Sequence, residues 1–205
     1  MKYWPCFLGL LVVGTVCAQP LPSLPGLGDG ARRELIDVRA APWRILGRVQ
    51  TELGVKCTGF AVAPNVVMTA AHCLWLPKTH TYIRPSDVHV LMGYSRGSYR
   101  QHAHVVRFII PPGYDPKNES ATGASDRATL LLSEPVIATR DLLPAIPVQD
   151  GARAMLVGYS QDRNEVPFGD LDCHINGVTV SGLVHHDCEA TKGVSGAPLL
   201  LQKPD

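Results

Sequence analysis

The sequence lacks any grouping of basic residues: 19 Lys and Arg stand against 18 Asp and Glu, for a formal net charge of +1. A nucleic acid or an anionic membrane surface is held by clustered Lys and Arg, so neither is an expected partner. No long segment repeats at helical spacing, no internal repeat is visible, and beyond residue 16 no apolar run is long enough to span a bilayer. Cys-x-x-Cys is absent as well, which argues against a zinc site built from cysteines. What the chain does have is 19 Gly, 17 Pro and 45% hydrophobic residues. That is the composition of a globular domain made of many short strands joined by turns.

Residues 1–18 carry Lys2, an apolar run from Phe7 to Val16, and small residues at a cleavable position ending in Ala18. This reads as a secretory signal peptide and predicts a secreted or periplasmic protein, soluble and probing no membrane once cleaved. Lipid attachment at Cys17 is the competing reading, disfavoured by the bulk of Val16. Cleavage leaves Cys57, Cys73, Cys173 and Cys188. Four cysteines in an exported chain imply two disulfides and allow three connectivities. Nearest-neighbour pairing closes two short loops, each worth about 3 kcal/mol in the chain-entropy picture.

Residues 19–40 open with Pro20, Pro22, Pro25, Gly26, Gly28 and Gly30 and read as a flexible leader or propeptide, with Arg32-Arg33 as a solvated pair or a processing site. Strands are predicted at 44–50, 54–63, 66–69, 88–92, 104–110, 128–132, 154–159, 177–180 and 196–201, punctuated by Pro111-Pro112-Gly113, Pro135, Pro144, Pro147 and Gly151. So many short strands point to an antiparallel barrel or sandwich.

Three stretches carry chemistry. Gly193-Val194-Ser195-Gly196-Ala197-Pro198 suits a tight turn that exposes a hydroxyl and aims backbone N–H groups at one point. Thr69-Ala70-Ala71-His72-Cys73 follows the apolar run Val66-Val67-Met68, and Asp126 precedes Ala128-Thr129-Leu130-Leu131-Leu132. Taken singly, each is a turn serine, a core histidine or a turn cap. Together, in the order His, Asp, Ser, they resemble the three motifs of the chymotrypsin-like (trypsin-like) serine proteases over residues 41–201. The pattern is nearest to bacterial secreted trypsin-like and glutamyl-endopeptidase-like members.

The resemblance implies an all-β fold of two antiparallel six-stranded barrels with the active site between them. The first would cover residues 41–125 and the second 126–205, incomplete at the C-terminus because only residues 196–205 follow Ser195. It implies that Cys73 is bridged to Cys57, which would leave Cys173 with Cys188. It also implies a secreted endopeptidase that is a monomer, takes a polypeptide substrate and needs neither cofactor nor metal. His72 would be the general base, Asp126 its orienting acid and Ser195 the nucleophile, with the backbone N–H groups of Gly193 and Ser195 as oxyanion hole. Asp115 is an alternative to Asp126 but sits in a turn-like segment with no strand after it.

Glu189 lies where trypsin-type members carry the acid of the primary pocket, which would favour Arg or Lys. Val194 departs from digestive members, whose acid at that place pairs with a freed N-terminal amine; valine makes no such pair. His102 with His104, and His185 with His186, lack a carboxylate or cysteine partner at helpful spacing and are assigned no metal. The rival reading is a non-catalytic relative that keeps the fold as a binding protein.

Overall fold

The computed structural model describes residues 24–28 and 30–202, so the signal-peptide reading, with Cys6 and Cys17, lies outside the described residues. In chain order the strands are β1 (Arg33–Leu35), β2 (Leu46–Thr51), β3 (Lys56–Ala63), β4 (Val66–Thr69), β5 (Trp75–Leu76), β6 (Thr81–Tyr82), β7 (Val88–Met92), β8 (Gln101–Ile109), β9 (Ala128–Leu132), β10 (Arg153–Gly158), β11 (Phe168–Val178), β12 (Val184–His186) and β13 (Leu199–Leu201). Helix among the described residues is confined to single turns, as the frequent Gly and Pro predict.

Six strands close into an antiparallel barrel in the order β2-β3-β4-β9-β8-β7. Period-two alternation drives it: Val88 and Val90 of β7, Ala103 and Val105 of β8, and Ala128, Leu130 and Leu132 of β9 are buried together with Leu46, Val49 and Val67. Each Val or Leu side chain so removed from water contributes about 1.5–3 kcal/mol. Closure also leaves the barrel no unpaired edge. Because β9 must lie between β4 and β8 for this closure, Asp126 and residues 128–132 belong to the first barrel, and the boundary placed at 125 is corrected.

The later strands form a five-stranded sheet in the order β1-β11-β10-β13, with β12 on β11. Its small core joins Ala154, Leu156, Cys173, Ile175 and Cys188. Among the described residues this sheet is open rather than closed, and the closed barrel of the earlier strands has no second counterpart. Residues 177–180 catch only the end of β11, a strand of 11 residues. Asp170, Asp172 and His174 interrupt its apolar pattern and hide it from a reading of hydrophobic alternation.

Among its described residues, 24–28 and 30–40, the leader is not loose as its composition suggested. Leu27, Ile36 and Val38 are buried, and β1 pairs with β11 through Arg33↔Asp170 and Leu35↔Phe168. Arg33 is not solvated either: its side chain is 5% exposed and bonds the Asp162 carboxylate at 2.7 Å. Gly and Pro upstream masked a short extended segment whose pairing partner lies far away in sequence.

Candidate active site

Pairing of β4 with β9 sets the first contact. Thr69 stands opposite Ala128, so continuing the antiparallel register by two residues brings Asp126 against Ala71, beside His72. His72 itself lies in a single helical turn (Ala71–Leu74) that leaves β4, and Cys73 ties that turn to Cys57 on β3 through a disulfide. Asp126 Oδ2 is 2.6 Å from His72 Nδ1, and Asp126 Oδ1 accepts the His72 backbone N–H at 3.0 Å. Two bonds from one carboxylate fix both the ring and the turn that carries it.

Their titration is linked. The Asp126 hydrogen bond pushes the His72 pKa up from its ordinary value; burial opposes this, and the charges of Asp126 and Glu119 add to the rise. For Asp126, burial pushes the pKa up, but the His72 ring and the backbone N–H groups of His72 and Ala71 outweigh it and the net direction is down. An ionised Asp126 therefore accepts from an Nδ1–H of His72, which leaves Nε2 as the basic nitrogen.

The serine loop is docked on β3. Thr58 donates its N–H to the Ser195 carbonyl oxygen at 2.9 Å and its hydroxyl to the Gly193 carbonyl oxygen at 2.8 Å. Thr58 Oγ1 also accepts the Tyr159 N–H at 2.9 Å, while its carbonyl accepts from Thr69 Oγ1 at 2.7 Å. Gly196, at φ +84°, comes so close to the histidine turn that a Cβ there would lie 2.7 Å from the Ala70 nitrogen. Gly193 has φ +94°, a conformation that L side chains rarely adopt.

Two carbonyls in the loop are held by neighbouring backbone N–H groups. Lys192 O accepts from Gln161 N–H at 2.7 Å and Val194 O from Ala197 N–H at 2.8 Å. In a planar trans peptide the N–H opposes the C=O, so the N–H groups of Gly193 and Ser195 face the other way. Among the described residues neither has an acceptor, and the half-buried Ser195 hydroxyl makes no hydrogen bond to His72. Two unengaged N–H groups beside a serine are the donors an oxyanion needs. Catalytic hydrogen bonds of the serine–histidine kind are often long until substrate is bound.

Glu189 is buried and engaged. Its Oε2 accepts the Arg32 N–H at 3.0 Å, its Oε1 lies 3.7 Å from Arg32 Nε, and its own N–H donates to Asp170 Oδ2 at 2.9 Å. Asp170, fully buried on β11, is 3.3 Å from Arg32 Nη2. The Cys173–Cys188 disulfide ties β11 to the turn before Glu189. Val194 packs with the apolar cluster of the second sheet.

Of the residues singled out from sequence, the structure joins His72 to Asp126 and sets Gly196 of the serine loop against Ala70, at the start of the histidine turn. It leaves Asp115 apart, where it caps its own turn by accepting the Lys117 N–H at 2.9 Å. Both disulfides join sequence neighbours. Sequence reading missed Thr58, whose one signal is a hydroxyl within the run of small and apolar residues from Cys57 to Ala63, and missed Arg32 and Asp170, which meet only through β1–β11 pairing. Cys57, His72 and Cys73 lie close enough to suggest a metal, but disulfide sulfurs are not thiolate ligands.

The family model described as Trypsin matches residues 34–203. A trypsin of Phaedon cochleariae is 30% identical over 164 residues, covering 74% of this chain and 58% of that protein. Serine protease filzig of Drosophila melanogaster is 26% identical, covering 81% and 12%. A glutamyl endopeptidase of Bacillus licheniformis is 26% identical, covering 54% and 33%. The chain thus spans from about an eighth to somewhat more than half the length of these curated relatives. A solved Glu endopeptidase in complex with MPD shares the fold at a TM-score of 0.69 and 20% identity, over 83% of this chain and 80% of that one.

Proposed function

The chain belongs to the trypsin family of serine proteases, and on that premise we propose that it is an exported serine endopeptidase acting through an acyl-enzyme. The observation that carries the proposal is the 2.6 Å contact between His72 Nδ1 and Asp126 Oδ2, set beside a serine loop with two unengaged N–H groups.

In the proposed sequence, Ser195 Oγ attacks the scissile carbonyl carbon of a polypeptide while His72 Nε2 takes the hydroxyl proton. Negative charge gathers on the carbonyl oxygen and is met by the N–H groups of Gly193 and Ser195, a donor of this kind being worth about 3–4 kcal/mol. His72 then gives its proton to the departing amine, which leaves an ester on Ser195. Water attacks that ester with His72 again as base, releasing the acid product and restoring the hydroxyl. Asp126 holds the imidazole in the required tautomer and stabilises the imidazolium.

Glu189 is proposed as the acid that receives an Arg or Lys side chain. Its present partner, Arg32, is itself a guanidinium, which supports that preference and implies that Arg32 must withdraw first. Two disulfides fit an oxidising compartment. Export as a monomer completes the proposal.

A fluorophosphonate probe, which reacts only with an activated serine, tests the reading. Purified protein should be labelled and Ser195→Ala should not. No labelling of folded wild-type protein would instead establish a non-catalytic relative, a role that no observation here favours.

A further inference from the structure

Three imidazoles meet on the outer face of the closed barrel, on two strands that supply none of His72, Asp126 or Ser195. Val88, Val90, Ala103 and Val105 point into the core, so the alternate residues of β7 and β8 point outward. Pairing sets His89 directly opposite His104 and Leu91 opposite His102. His102 and His104 thus share a face, with His89 opposite one and diagonal to the other. Ring centroids are 5.2 Å apart for His89–His102, 5.1 Å for His89–His104 and 4.8 Å for His102–His104. His89 Nδ1 is 3.1 Å from His102 Nε2, and one nitrogen from each ring lies within 4.8 Å of the others.

A tetrahedral ion with Zn–N bonds of about 2.0–2.1 Å sets its ligand nitrogens about 3.3 Å apart. The His89–His102 pair is already near that spacing. His104 is exposed and its ring has room to close the third edge. A second observation also points to a ligand: Glu52 Oε1 lies 3.7 Å from His89 Nε2, the ring nitrogen turned away from His102. A carboxylate on the non-ligating nitrogen is the usual outer partner of a metal-bound histidine, fixing its tautomer and raising its basicity.

We propose that His89, His102 and His104 form a three-histidine site for a divalent transition-metal ion of the zinc class, with Glu52 as its outer carboxylate. Three imidazoles without thiolate suit Zn, Cu or Ni rather than Ca or Mg. The exposed side leaves a fourth position for water. A bound ion would clamp β7 to β8, and the inference does not depend on the catalytic reading.

The test uses the full chain carrying Ser195→Ala, to prevent self-cleavage, stripped with EDTA and titrated with Zn²⁺ by calorimetry. One equivalent should bind and raise the thermal midpoint. His104→Gln, whose exposed ring is not needed for folding, should weaken that event at least ten-fold and remove the rise in midpoint. Glu52→Gln should weaken it about ten-fold. No saturable equivalent in the parent, or the same affinity in a folded His104→Gln variant, would overturn the site; the latter would move the ion to other histidines.

Discussion

Thr58 on β3 donates its hydroxyl to the carbonyl oxygen of Gly193 across 135 residues of sequence, at 2.8 Å. The hydroxyl oxygen of Thr58 in turn accepts the buried Tyr159 N–H at 2.9 Å. One side chain therefore fastens the first barrel to the serine loop and to the end of β10. Thr58→Val keeps the shape and strands two polar groups, which should cost about 1–3 kcal/mol in urea denaturation. Loss of loop position should lower kcat/KM by up to about 10²-fold. A folded variant with unchanged kinetics would show that the backbone bond from Thr58 N–H to Ser195 suffices.

The coupling of His72 and Asp126 has a definite sign. Because the folded pKa of His72 is raised above 6.5, its share of stability is complete below that value and is lost as pH rises through the folded pKa. Asp126 is lowered from 3.8, so its share is present above that value and is lost as pH falls through the depressed pKa. Catalysis needs neutral His72, so kcat/KM should rise with pH around a midpoint above 6.5. Asp126→Asn should move that midpoint down and lower the plateau by about 10⁴-fold. A midpoint unmoved by the substitution would contradict the assignment of Asp126.

Arg32→Gln removes the cation that faces Asp170 and Glu189. Asp170 is fully buried and keeps only the N–H groups of Asp172 and Glu189. Loss of about 1–3 kcal/mol is expected from chemical denaturation. Activity on Arg substrates should rise relative to activity on neutral ones, because the competing guanidinium beside Glu189 is gone, although the backbone N–H of residue 32 still holds its Oε2. Equal stability would mean that the two N–H groups alone hold the Asp170 charge.

Opening the Cys57–Cys73 bridge should loosen the histidine turn before the second sheet, since the loop it closes spans only 16 residues and contains β4. Paired Cys57→Ala and Cys73→Ala substitutions are expected to cost about 3 kcal/mol. Limited proteolysis should then cut near residues 71–76 first. First cuts elsewhere would place the weak point outside this turn.

The His72–Asp126 contact could be anticipated, and the serine loop proposed beside it, because the three motifs are local: a turn after β4, a residue before β9, and a glycine-flanked serine each announce themselves within a few residues. Thr58, Arg32 and Asp170 were not legible, since each acquires its partner only through pairing between distant strands. His89 stayed hidden for the same reason; it lies 13 residues from His102 and reaches it only across the β7–β8 ladder. The first barrel was readable from clean alternation. β11 and β1 were not, because buried Asp170 and a Pro- and Gly-rich approach break the pattern that marks a strand.

The register that sets Thr69 against Ala128 also governs where this protein can change length. A residue inserted within β4 or β9 would turn every following side chain to the opposite face, and a slip of two would carry Asp126 about 7 Å along the strand. The loops between these strands face no such constraint. Insertions and deletions within the exposed residues 77 to 80 can therefore accumulate without disturbing the pair, and a graft there offers a route to altered surface recognition.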